Sequence, residues 1–90
     1  MTGRVERIRE ILTREFAPAA LAVEDQSHLH VGHAGARDGR GHFRVHIVAA
    51  AFDGMASLAR HRAVYAALGD LMQTDIHALA VEARAPAETH

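Results

Sequence analysis

The heptapeptide HFRVHIV at residues 42–48 is the strongest structural signal in the sequence. Its apolar residues Phe43, Val45 and Ile47 alternate with the polar residues His42, Arg44 and His46. Strict alternation of this kind sends the two sets of side chains to opposite faces of a β-strand. We therefore predict a strand over 42–48 with one buried face and one solvent-facing face.

Helical periodicity lies on both sides of this strand. From Arg4 to Phe16 apolar residues recur every three or four positions, which predicts an amphipathic helix that ends before Pro18. A second helix is predicted from Ser57, a candidate N-cap, to about Met72. The residues of its predicted inward stripe are His61, Val64, Ala67, Leu68 and Leu71.

Two further strands complete the pattern. Residues 21–23 predict a short strand that ends at 24–25, and residues 76–84 predict a last strand with Leu79, Val81 and Ala83 in one phase. Between them we expect a long loop over 26–41, a turn over 49–54 that uses Gly54, and a frayed tail from Pro86. The order helix, strand, strand, helix, strand predicts an α+β two-layer sandwich, a three-stranded sheet with both helices on one face.

Composition limits what the chain can be. Ninety residues are enough for a single domain over 1–90, with a core at 4–86 and a tail at 87–90. The formal net charge of −1 is not typical of a domain that binds nucleic acid by phosphate neutralisation alone. Cysteine is absent, so the chain has no disulfide and no thiolate ligand. No long apolar run is present, so we expect no signal peptide, no membrane span and a cytoplasmic location.

Five spaced motifs are more specific than the periodicity. They are SHLH at 27–30, HFRV at 42–45, FDG at 52–54, RHRAVYAAL at 60–68 and IHAL at 76–79. In this order, over about residues 5–86, they resemble the signature of the BolA family. The resemblance implies a fold similar to the type II KH domain, with a mixed sheet and helices on one side.

The same resemblance implies a function. Members of the BolA family bridge a [2Fe–2S] cluster with a monothiol glutaredoxin and its glutathione, and some are described as transcriptional regulators of stress response and cell shape. The resemblance therefore implies a non-enzymatic adaptor in iron–sulfur cluster assembly, cluster trafficking or iron homeostasis. We expect a monomer without a cluster when isolated and a heterodimer in the complex, because imidazoles alone cannot hold iron and sulfide against water.

Histidine is unusually frequent, with eight in ninety residues. By resemblance, His77 in the IHAL motif is the family's constant cluster ligand; alternatively, its phase with Leu79 makes it a half-buried residue that closes the sheet edge. The resemblance gives the loop histidine His30 as the second ligand, with His33 as its close rival and His28 as a weaker one. Alternatively, all three loop histidines are simply solvated.

Other polar residues of the motifs have structural alternatives. We interpret His61 as a core residue held by one hydrogen bond to the backbone, because it lies on the apolar stripe. Arg60 and Arg62 are expected on the outer faces of the second helix, where they contact a glutathione carboxylate, an acidic partner surface or only solvent. His42 and His46 share a strand face, but they lack the spaced ligand sets of structural zinc.

Two other classes of function fit the sequence less well. Enzymes are disfavoured because there is no cysteine nucleophile, no nucleophile elbow at Ser27 or Ser57, and no Lys-Ser/Thr ending to the glycines at 35–41. A DNA-binding regulator that uses Arg44, Arg60 and Arg62 is the rival hypothesis. The near-neutral charge weighs against it, as does the position of the only Gly-x-x-Gly, Gly32 to Gly35, between strands.

Overall fold

A computed structural model describes residues 3–27 and 41–88 of the chain. The elements are α1 (Arg4–Phe16), β1 (Ala20–Asp25), β2 (Gly41–Val48), a 3₁₀ turn (Ala50–Phe52), α2 (Ser57–Leu68), α3 (Leu71–Thr74), β3 (Ile76–Arg84) and a second 3₁₀ turn (Pro86–Glu88). The predicted order of helices and strands is confirmed, with the single turn of α3 added.

The sheet has the order β1-β2-β3, with β2 antiparallel to β1 and parallel to β3. The central strand β2 follows the predicted alternation: Phe43, Val45 and Ile47 are buried, whereas Arg44 and His46 are exposed. A mixed three-stranded sheet with one covered face is thus confirmed.

Both long helices pack on the covered face of this sheet. Ile8 and Leu12 of α1 and Val64 and Leu68 of α2 are almost completely buried in one cluster with the apolar residues of β2. Burial of such a side chain contributes about 1.5–3 kcal/mol, so this cluster is the main source of stability. The predicted α+β class is confirmed. No helix in the described part of the chain is long and apolar enough to cross a membrane.

The second helix differs from its prediction at both ends. Ala56, not Ser57, is the N-cap, and no side chain caps the first turn. At the other end, α2 stops at Leu68 because Gly69 takes φ 53° and ψ −123°, a conformation that only glycine adopts readily. The predicted helix to Met72 is therefore wrong, and Leu71 is half-buried in α3 instead.

The prediction of a frayed tail from Pro86 is also wrong for the residues that are described. Glu88 receives two hydrogen bonds from the Arg60 guanidinium, at 2.6 and 2.8 Å, and one from the backbone N–H of Ala85 at 3.0 Å. These contacts tie Pro86–Glu88 to α2. Gly54, by contrast, has the positive φ (78°) that was predicted for it.

Candidate functional site

His77 lies on a β-bulge at the start of β3. Gly41 pairs with Ile76 and His42 pairs with Ala78, so His77 is the extra residue on the β3 side. Ile76 and Leu79 are both buried, whereas His77 is exposed. The bulge breaks the alternation that put His77 in phase with Leu79, so the alternative interpretation of His77 as a half-buried residue is wrong. Bulges often re-aim a side chain next to a functional site, and this one presents an imidazole to solvent.

His42 is the neighbour of His77 across the strand pair. The two ring centres are 5.1 Å apart and the rings are tilted by 45°. The backbone of His42 is fixed by the two residues that follow β1, because its N–H donates to Ser27 Oγ at 3.0 Å and its carbonyl accepts from Gln26 N–H at 2.8 Å. The sequence pattern places His42 on the same strand face as His46 and does not predict its contact with His77. Only the bulge brings the rings of His42 and His77 together.

A shallow depression of about 280 Å³ lies beside this pair of histidines. Its lining residues are Gln26, His42, Phe43, Ala78, Leu79 and Ala80. Within residues 3–27 and 41–88, no group of three or more histidine or acidic side chains is close enough to hold a metal ion. The predicted loop ligands His30 and His33, and their rival His28, lie outside the described residues, so these assignments stay predictions.

The RHRAVYAAL motif has a structural role at the outer edge of β3. Ala49 N–H donates to the carbonyl of Arg84, so the even-numbered carbonyls of this stretch face β2 and the odd-numbered ones face outward. Three side chains of α2 reach the outward carbonyls at 2.9–3.0 Å. They are Tyr65 Oη to Leu79, His61 Nε2 to Val81, and an Arg60 terminal nitrogen to Ala83. The backbone hydrogen bond predicted for His61 is therefore present.

Arg60 does not lie on an outer face, and that part of its prediction is wrong. Its side chain is only 11% exposed, and it donates to the carbonyls of Met55 and Ala83 as well as to Glu88. The hydrogen bonds from Arg60 are the main cause that lowers the pKa of Glu88 to about 2. Arg62 is exposed on α2, as predicted. The cofactor-binding role of both arginines stays a prediction, and the contacts of Arg60 do not favour it.

The solvent-facing side of the sheet carries a separate group of charges. His46 Nδ1 is 2.9 Å from Glu82 Oε2, and Arg84 donates to Glu82 Oε1 at 2.7 Å. The hydrogen bond from Arg84 is the main cause that lowers the pKa of Glu82. A depression of about 380 Å³ lies here, lined by Ala22, Glu24, Arg44, His46 and Glu82. His46 therefore contacts the ion pair of Glu82 and Arg84 and does not belong to the pair formed by His42 and His77.

Comparison with known proteins gives a family match over most of the chain. Residues 12–88 match the model of the family described as BolA-like protein. SufE-like protein 1 of Arabidopsis thaliana, named as chloroplastic/mitochondrial, is 45% identical over 91 residues, which cover 96% of this chain and 24% of that protein. The chain thus spans about a quarter of that relative. The relative's name does not support a cytoplasmic location, which stays a prediction.

One solved structure and one further relative extend the comparison. The structure of the BolA domain of SufE1 from Arabidopsis thaliana has a TM-score of 0.87 and 41% identity, and 99% of each chain is covered. A protein of Haemophilus influenzae named DNA-binding transcriptional regulator BolA is 36% identical over 81 residues, which cover 90% of this chain and 76% of that protein.

Proposed function

The chain belongs to the family of BolA-like proteins, and on that premise we propose that it is a non-enzymatic adaptor that binds a monothiol glutaredoxin and co-ligates a [2Fe–2S] cluster. The cluster is cargo that the two proteins share during cluster assembly, trafficking or iron homeostasis. The chain supplies imidazole nitrogen, and the glutaredoxin with its glutathione supplies thiolates. This division follows from the absence of cysteine in the chain.

The exposed position of His77 on the bulge is the observation that carries the proposal. A ligand to a shared cluster has to lie at the surface, where the partner's thiolates reach the same iron. Neutral imidazole suits iron as a ligand. Replacing a thiolate by imidazole removes negative charge from the cluster, which raises its reduction potential, as in Rieske centres. The mixed complex should therefore differ in redox poise from a glutaredoxin homodimer.

His77→Ala tests this assignment. We expect the variant to fold, because His77 is exposed and the burial of β3 rests on Ile76 and Leu79. Mixed with a cluster-loaded monothiol glutaredoxin, it should give an altered absorption and circular dichroism spectrum, and the cluster should decay faster or return to the glutaredoxin homodimer signature.

His46→Ala is the matched control, since His46 is an exposed histidine of the same sheet that pairs with Glu82. Its mixed complex should have the wild-type spectrum. The assignment of His77 is wrong if His77→Ala leaves both the spectrum and the decay rate unchanged. We expect the loop variant His30→Ala to act more weakly, and the double change of His30 and His33 to exceed either single change, as alternative ligands would.

A DNA-binding regulator is the second candidate, and the name of the Haemophilus influenzae relative favours it. Arg44 and Arg62 are exposed cations of this chain, on the sheet and on α2 respectively. Fluorescence anisotropy of labelled duplex DNA, measured across a range of salt concentrations, tests this candidate. If the chain binds through phosphates, the logarithm of the binding constant should fall linearly with the logarithm of the salt concentration, with a slope of about −0.9 per phosphate contact. Arg62→Ala should reduce the magnitude of that slope by about one unit. No binding at low salt would exclude this function for the isolated chain.

A further inference from the structure

The contact between His42 and His77 places two imidazoles within reach of one ion. Their ring centres are 5.1 Å apart. Zinc binds imidazole nitrogen at about 2.0–2.1 Å, and two rings that meet at a tetrahedral angle then have centres about 5 Å apart. The observed spacing of the ring centres is therefore compatible with both imidazoles binding one tetrahedral metal ion.

The two residues differ in how firmly they are held. His42 is anchored through its backbone to Gln26 and Ser27, which directly follow β1. His77 is exposed on the bulge and leaves its ring accessible to solvent. Nε2 of His42 is enclosed by protein, so this ring presents Nδ1 or turns about χ2, a soft torsion in histidine. One fixed and one accessible imidazole make a site that an ion can enter from solvent.

We propose that His42 and His77 form a two-imidazole site for a divalent transition-metal ion of the zinc or cobalt class, with water completing the coordination. The site belongs to the chain itself and needs neither the glutaredoxin nor the cluster. It assigns a ligand role to His42, which sequence reasoning left on the polar face of its strand.

Zinc titration of the isolated full-length chain by calorimetry tests the proposal, with cobalt absorption as a second probe. The histidines at 28, 30, 33 and 90 are first replaced by asparagine, so that the loop and the terminus offer no imidazole. In this background we expect one zinc ion per chain at pH 7.5 and cobalt bands in the visible range. His42→Ala and His77→Ala should each weaken zinc binding by about tenfold or more, since even loss of a group that only orients a metal ligand costs about that much. His46→Ala should leave it unchanged.

His42→Phe separates coordination from packing, because it keeps a ring against His77 but has no nitrogen. We expect it to weaken zinc binding as much as His42→Ala does, and a wild-type affinity in His42→Phe would overturn the ligand role of His42. Absence of zinc binding in a folded background protein would overturn the site as a whole. Neither result affects the cluster test of His77→Ala, which uses a different partner and a different signal.

Discussion

His61 shows how a polar residue is accommodated on an apolar helix face. Its ring is half-buried on α2, and Nε2 lies 2.9 Å from the carbonyl oxygen of Val81. Since the carbonyl accepts, the ring nitrogen carries the proton, so the hydrogen bond fixes the tautomer. The residue is therefore explained by the fold and needs no role in a partner complex.

His61→Ala should lower the free energy of unfolding by about 1–3 kcal/mol, because it leaves both a cavity and an unsatisfied carbonyl on the edge of β3. Urea denaturation measures this. Arg62→Ala, an exposed change at the next position of α2, should stay within about 0.5 kcal/mol of wild type. An unchanged denaturation curve for His61→Ala together with loss of glutaredoxin binding would instead make His61 a functional residue.

The sequence could predict His77 as a site residue, but not its exposure or its contact with His42. The IHAL motif singled out His77, whereas strict alternation gave it the wrong exposure. Alternation has no means of locating a bulge, because an extra residue on one strand is set by its pairing with the other. The short distance between His42 and His77 depends on the same strand pairing, so the alternation pattern could not predict it either.

The elements were predicted best where local physics decides their ends. The bounds of α1 and β3 agree with the sequence, since Pro18 follows α1 and the apolar phase of β3 extends to Ala83, next to its last residue Arg84. The end of α2 was missed because Leu71 continues the apolar spacing beyond Gly69. Apolar periodicity measures the residue spacing along a continuous helix. Gly69, with ψ −123°, interrupts the helix but leaves the spacing between Leu68 and Leu71 in the sequence unchanged.

Edge strand β3 is closed on its outer side by α2. Three of its outward carbonyls accept hydrogen bonds from Arg60, His61 and Tyr65. An open edge is a template for pairing with another chain, and side-chain donors remove that hazard here. A partner that reaches His77 therefore cannot do so by adding a strand at these three carbonyls.

The Pro86–Glu88 turn reinforces this edge, and its contribution should depend on pH. The pKa of Glu88 is lowered to about 2 from an ordinary value of 4.5, mainly by its hydrogen bonds from Arg60. A lowered pKa in the folded state means that the contact stabilises the protein above the unfolded pKa and is lost as pH falls toward 2. Glu88→Gln should therefore destabilise the protein at pH 7 and make little difference at pH 2.

Thermal denaturation of wild type and Glu88→Gln between pH 7 and pH 2 measures this difference. Glu10→Gln removes the same charge from the exposed face of α1 and serves as the control. A constant gap between wild type and Glu88→Gln across that range would show that the ionised contact with Arg60 contributes nothing to the pH dependence.

At the scale of the whole molecule, Asp75 joins the N-terminal helix α1 to the start of β3. Its carboxylate accepts a hydrogen bond from Arg4 Nε at 3.2 Å and one from Arg7, residues 71 and 68 positions away in sequence. Its backbone carbonyl accepts from Gly41 N–H at 2.9 Å. Asp75 directly precedes β3 and lies two positions before His77. It thus connects the start of this strand to α1 and to the beginning of β2.

Asp75→Asn should lower the free energy of unfolding at pH 7 by about 1–3 kcal/mol, since hydrogen bonds to a charged group are the stronger kind and the side chain is only 14% exposed. The pKa of Asp75 is lowered, first by the hydrogen bond from Thr74 and then by Arg4 and Arg7. Its contribution is therefore present above the ordinary pKa of 3.8 and is lost as pH falls through the lower folded value. Urea denaturation at pH 7 and pH 3 measures both effects, with the exposed Asp70→Asn as control. Equal stability of Asp75→Asn and wild type at pH 7 would mean that the contacts of Asp75 with Arg4 and Arg7 add no net stability.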